Sequence, residues 1–285
     1  MVTGSSHTNF TLKADADFSS ESLKSSNLIT SLSPTGFSLI VASQENNQIL
    51  LSAHQFWPEI EDIEKLLAQF EKCLGKLNFK VDEAAERKVL INYNKFSLVP
   101  QHLYEKEQGP AILSYTCKLK KGDHIYSDHW KQTEAILVYA SPLQFVEWIQ
   151  KHFPKAIIAH QGTAMEYLYQ ISNKEEQFAY LHVNPGSADF FLANEGKLQS
   201  YNNFDFGTDE DLLYFILYSL EQNRISPAEL KLHISGHTLK GDKLQVLLDR
   251  YVSQVIEMDL PLGFSHSTDI SPQEVMANFN LIGLL

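Results

Sequence analysis

Histidine is the residue type that most directly offers chemistry here, since the 285-residue chain carries eleven of them. His124 and His129 sit in the run GDHIYSDHW beside Asp123 and Asp128, and imidazole with carboxylate is a donor set for Zn²⁺. The run reads as a loop. No cysteine or third histidine stands at helical or hairpin spacing to complete a shell, so no metal is expected. His233 and His237 are four apart, but they bracket a strand end and a turn and so do not share one helical face, as the paired ligands of a zinc protease do. Gly263-Phe264-Ser265-His266-Ser267 echoes the start of a nucleophile elbow, yet its second glycine is missing and no strand precedes it in a hydrolase order. Asp209, Glu210 and Asp211 open a helix, where carboxylates complement the helix dipole. No catalytic residue emerges from these groups.

What remain are three turns. Ser33-Pro34-Thr35-Gly36 and Asn184-Pro185-Gly186-Ser187-Ala188 each join two apolar runs, and Ile234-Ser235-Gly236-His237 closes a third. Proline and glycine make tight turns in any β-rich protein, so the elements around them must supply the meaning. Residues 27–33, 37–42 and 48–56 read as three strands of a meander. Pro58 suits a first helical position, and Ile60, Ile63, Leu66, Leu67, Phe70, Leu74 and Leu77 recur at three- and four-residue spacing behind the acids Glu59, Glu61, Asp62 and Glu64. Residues 88–93 and 96–99 read as a hairpin, with a helix beyond Pro100 to about residue 119. EAILVYA (134–140) and KAIIAH (155–160) have the unbroken apolar character of buried strands, each followed by a helix. The plan then repeats. Residues 179–207 form a second set of strands, Thr208 caps a helix with Asp211 three residues on, LKLHIS (230–235) is a strand, and Thr238 opens a helix with Leu244, Leu247, Leu248, Tyr251 and Val255 on one stripe. A short helix follows Ser271-Pro272.

Two such units about 150 residues apart predict two lobes: 27–172 and 173–285, joined at the polar stretch SNKEEQ (172–177). Residues 1–26 are rich in Ser, Thr and Asp without a sustained apolar period and are expected to be a mobile segment. Composition narrows the partners. The formal net charge is −12, from 35 acidic against 23 basic residues, a field that repels phosphate polymers and makes nucleic acid a poor partner. The densest basic run, KLKK at 118–121, has no aromatic platform beside it. No apolar run approaches the roughly 18 residues of a membrane span. Cys73 and Cys117 alone cannot frame disulfides and fit a reducing compartment, so a cytoplasmic location is expected.

The doubled strand–turn–strand–helix plan resembles the actin-like ATPases, whose fold duplicates an RNase H-like α/β lobe with a mixed five-stranded sheet flanked by helices. More closely, SLVP (97–100), YASPLQFVEW (139–148), LQSYNNFDF (198–206) and LHISGH (232–237) resemble a bacterial family of unknown function with an actin-like fold. The resemblance to active members implies two phosphate loops of the form Asp-x-Gly and a glycine-rich adenosine loop. The acid would hold hydrated Mg²⁺ or orient the attacking water, and glycine lets backbone N–H groups close on phosphate oxygens. Neither turn of this chain carries the acid. Gly36 is one position late, Asn184 stands where the second acid belongs, and Pro34 and Pro185 each remove a donor. Asn184, Gly186 and Ser187, then Ser235 and Gly236, are the retained candidates for residual ATP or ADP binding. The resemblance thus implies a degenerate, non-catalytic protein acting through a protein partner or ligand, as a scaffold or regulator. Two alternatives stay open: a nucleotide-binding phosphotransferase using Asp189 or Asp205, and an assembly component like the actin-fold proteins of pilus or secretion machines.

Overall fold

Apolar runs such as FSLIVA and FFLA cannot alternate between core and solvent, so the strands that carry them must be covered on both faces. A computed structural model, describing residues 9–172, 177–238 and 241–285, shows how this is done. β1 (Thr11–Ala14) and α1 (Ser20–Leu23) lead into a meander of β2 (Ser26–Ser33), β3 (Gly36–Ser43) and β4 (Gln48–Phe56). α2 (Ile63–Leu74) follows, capped by the Asp62 carboxylate, which accepts from Lys65 N, and buries Leu66, Phe70 and Cys73. β5 (Glu86–Ile91) then adds parallel to β2. β6 (Phe96–Pro100), α3 (Gly109–Ser114), β7 (Asp123–Trp130) and β8 (Ala135–Pro142) make a separate three-stranded layer, ordered β6-β8-β7. α4 (Leu143–His152), β9 (Ile157–His160) and α5 (Gln161–Ser172) return the chain to the first sheet.

The second lobe repeats the meander with β10 (Gln177–Asn184), β11 (Ser187–Asn194) and β12 (Lys197–Asp205), followed by α6 (Asp209–Gln222), β13 (Lys231–Gly236), α7 (Lys243–Leu248) and β14 (Gln254–Glu257). Thr208 and Asp211 cap α6 reciprocally. The sheet order is β12-β11-β10-β13-β14. β15 (Ser265–His266), α8 (Pro272–Ala277) and a closing 3-10 helix at Phe279–Leu284 complete the chain.

Side chains alternate across a strand, and the second sheet uses both faces. Ala179, Leu181, Val183, Phe190 and Leu192 pack with Leu212, Ile216 and Leu220 of α6 and Leu244 and Leu248 of α7. The intervening Phe178, Tyr180, Phe191 and Tyr201 belong to the core of the first lobe. Full burial of one large apolar side chain is worth about 1.5–3 kcal/mol, so these four aromatic rings bind the lobes firmly together.

Several expectations change. The chain forms β1, paired with β4, and buries Leu23 well before Asn27; the segment is too short to show an apolar period. α2 begins at Ile63, because the Pro34 and Thr35 carbonyls capture the N–H groups of Ile60 and Trp57. Residues 88–99 are not a hairpin: β5 lies between β2 and β9, while β6 pairs with β8 in another sheet. The helix beyond Pro100 is reduced to α3 and short 3-10 turns. The first sheet has seven strands, not five, because β1 and β15 add to β4. The tail packs between the lobes: Phe279, Leu281 and Ile282 are buried in the cluster that the first sheet shares with Phe178 and Tyr180, and the Leu284 carbonyl accepts from Lys88 Nζ at 2.6 Å. Tyr251 is exposed and Val255 lies in β14, so the stripe expected after Thr238 ends with α7. The boundary stretch falls largely at 173–176, outside the described residues.

Candidate functional site: the cleft between the lobes

The first turn is closed on itself. Thr35 N donates to Ser33 Oγ at 3.2 Å, and Ser33 Oγ lies 3.2 Å from Thr35 Oγ1 and 3.3 Å from Gly36 O. Trp57 Nε1 donates to the Pro34 carbonyl at 2.9 Å, which pins the turn from outside. An amide already held by a hydroxyl offers less to an anion than a free one. In the second turn Gly186 takes φ 80°, a conformation L side chains rarely adopt, and its carbonyl accepts from Phe206 N at 3.0 Å.

The third turn works differently. Gly236 has φ 100° and a Cβ there would collide with the Val183 backbone, so the glycine is required both by its backbone conformation and by strand packing. The Ser235 hydroxyl shares hydrogen bonds with Tyr180 OH at 2.7 Å and His182 Nδ1 at 2.8 Å. His237 N donates to the Val183 carbonyl at 2.6 Å. Its ring then crosses to the first lobe and meets Phe56 and His54 edge-on, with centroids 4.5 and 4.7 Å apart. Burial pulls the His237 and His182 imidazoles down to about 3 and His54 to about 4, so all three are neutral near pH 7.

These turns border two cavities. The first, of about 270 Å³, is lined by Ser33, Pro34 and Thr35 from one lobe, Ser187, Asn203 and Asp205 from the other, and the loop at Asn92, Tyr93, Asn94 and Lys95. Asn94 Nδ2 donates to Asp205 Oδ2 at 3.3 Å across the cleft. The second, of about 520 Å³, is lined by Ser235, Gly236 and His237 together with His54, Glu257 and Glu274. Of the five residues expected to retain a nucleotide, Ser187 faces the first cavity, Ser235 and Gly236 the second, and Asn184 and Gly186 line neither. Asp205 lines the cleft. Asp189 lies beneath it: Tyr201 OH and Asn203 Nδ2 donate to its Oδ1 at 2.7 and 2.9 Å, and burial raises its carboxyl to about 6.

Asn92, Asn94 and Lys95 were not singled out from the sequence, Lys120 was read only as part of the basic run KLKK, and Glu59 and Glu61 were read as dipole partners of a helix that starts later. The one signal was NYN after an apolar strand. His124 and His129 are on β7, not in a loop, and among the described residues no group of three His, Cys, Asp or Glu is placed to hold a metal ion. Ser265 and His266 pair with β4 as β15, which makes a strand edge and not an elbow.

Two lobes, each a meander capped by a helix and extended by parallel strands, with a cleft between their first turns, define the actin-like ATPase fold. A protein of unknown function with that fold from Bacteroides thetaiotaomicron VPI-5482 superposes with a TM-score of 0.72 and 20% identity, over 85% of this chain and 93% of that one. The PilM-PilN type IV pilus biogenesis complex contains a similar chain, with a TM-score of 0.61 and 13% identity over 90% and 97%. Residues 15–255 match DUF3822, a family of proteins of unknown function, and the chain belongs to it. No curated protein matches the sequence. Among the described residues no helix is long and apolar enough to cross a membrane.

Proposed function

We propose that this protein is a non-hydrolytic member of the actin-like fold that acts by binding a protein or ligand, as a scaffold or regulator in the cytoplasm. The observation that carries this reading is the contact of His237 with Phe56 and His54, a wedge of neutral rings joining the lobes where the turns that would cradle phosphates carry no carboxylate. The internal bonding of Ser33 and Thr35 supports it. Thermal unfolding with and without millimolar Mg·ATP or ADP tests it. A ligand at one hundred times its dissociation constant stabilises by about 2.7 kcal/mol, a visible shift, and none is expected. A clear shift, or phosphate release abolished by Asn184→Ala, overturns the reading and favours a phosphotransferase that uses Asp205. A second reading, as an assembly component, draws support from the fold shared with a chain of the pilus biogenesis complex; its test is copurification of a defined assembly partner at fixed stoichiometry.

A further inference from the structure

We propose that the cleft between the lobes is a recognition site for a small ligand bearing an alkylammonium group. Three carboxylates converge on it from both lobes: Glu59 and Glu61 from the segment before α2, and Asp205 from the end of β12. Their proximity is felt electrically, since burial first, then Asp205 and Glu61, raise the Glu59 carboxyl above its ordinary range. Two lysines also line the cleft. Lys95 is neutralised by Asp123, 2.6 Å from its ammonium, which leaves Lys120 alone against three acids. The balance is negative, and a phosphate would meet repulsion where an ammonium meets attraction.

A second feature points independently to a ligand. The Asn92 carboxamide and the Ser187 hydroxyl line the same cavity, are 8% and 6% exposed, and have no side-chain hydrogen-bond partner among the described residues. Neither is among the fully enclosed polar atoms without a partner, so within these largely buried residues the polar atoms open onto the cavity, where each accepts through oxygen. An ammonium has three donors and no acceptor, which matches a pocket offering carboxylate, amide and hydroxyl oxygens. The cavity of about 270 Å³ suits a small molecule.

The inference rests on the non-hydrolytic reading, in which no nucleotide fills the cleft. Calorimetric titration of the full chain with spermidine at low ionic strength tests it. The expected result is saturable binding, weakened at least tenfold in a Glu59→Gln, Asp205→Asn variant and measurably in Ser187→Ala. The exposed control Glu147→Gln, Glu221→Gln should leave it unchanged. Equal weakening by the control would assign the binding to the overall charge, and absence of binding, or equally tight binding of inorganic phosphate, would also overturn the inference. A lysine tripeptide that outcompetes spermidine would overturn the small-ligand assignment in favour of a partner side chain. Hydrolysis of Mg·ATP would refute the non-hydrolytic reading without itself altering the spermidine titration, so the two failures are distinguishable.

Discussion

Replacing Asp189 by Asn should change how stability depends on pH by an amount the structure sets. The carboxyl is fully buried; Tyr201 and Asn203 both donate to Oδ1, while Oδ2 has no partner. Burial outweighs those two bonds and raises the group from 3.8 to about 6. At about 1.4 kcal/mol per pH unit, ionising it in the folded chain costs about 3 kcal/mol more than in the unfolded one. Between these values the native state binds more protons than the unfolded state. The stability it contributes is therefore fully present below pH 3.8 and lost as pH rises through about 6. Asn keeps an oxygen for both donors and has no charge to bury. Urea unfolding of wild type and Asp189→Asn across this range should show the variant gaining about 3 kcal/mol relative to wild type between pH 4 and pH 7, at constant urea slope. Taking the difference cancels the titration of other groups. A difference that does not vary with pH would refute the reasoning, because the carboxyl would then ionise as easily inside as outside.

Four further outcomes are expected. His54, His160, His182 and His237 are pulled down to about 3–4 by burial, so the stability they contribute is present above their ordinary value of 6.5 and lost as pH falls toward 4; the urea midpoint should drop between pH 7 and 4.5, and a flat profile would contradict this. Gly283→Ala should destabilise by more than about 2 kcal/mol, since a Cβ there would strike the Ala164 carbonyl of α5; thermal unfolding measures it. Leu281→Ala, fully buried in the tail, should cost about 2–5 kcal/mol by denaturant unfolding, whereas a loss under 1 kcal/mol would mean the tail is not part of the core it packs into. The Cys73 thiol, pushed up to about 12 by burial, should resist alkylation of the native protein at pH 8; rapid modification followed by peptide mapping to Cys73 would show that α2 opens readily.

The fold was legible where one local signal sufficed. β2, β3 and β4 and their copies β10, β11 and β12 followed from apolar runs and Pro/Gly turns, and α6 from its Thr208–Asp211 cap. Strand partners were less legible. KVLINY and FSLV look like neighbours in sequence, yet β5 and β6 enter different sheets, because pairing depends on which apolar faces meet, and that is not a local property. The candidate site was legible in part: Ser187 was found by its place in the repeated turn and Asp205 as an acid on a second-lobe strand, whereas Asn92 gained meaning only once the end of β5 came opposite the second lobe.

By itself, the sequence determined that two similar α/β units exist, and that their turns lack the acids a phosphate site needs, since both are properties of residue type and order. Only the tertiary structure decided that Gly236 serves strand packing, that His237 reaches Phe56 in the other lobe, and that Glu59, Glu61 and Asp205 share one cleft with Asn92. Charge repulsion, burial and ring contact all depend on distances of a few ångströms between residues far apart in the chain, and folding alone sets those distances.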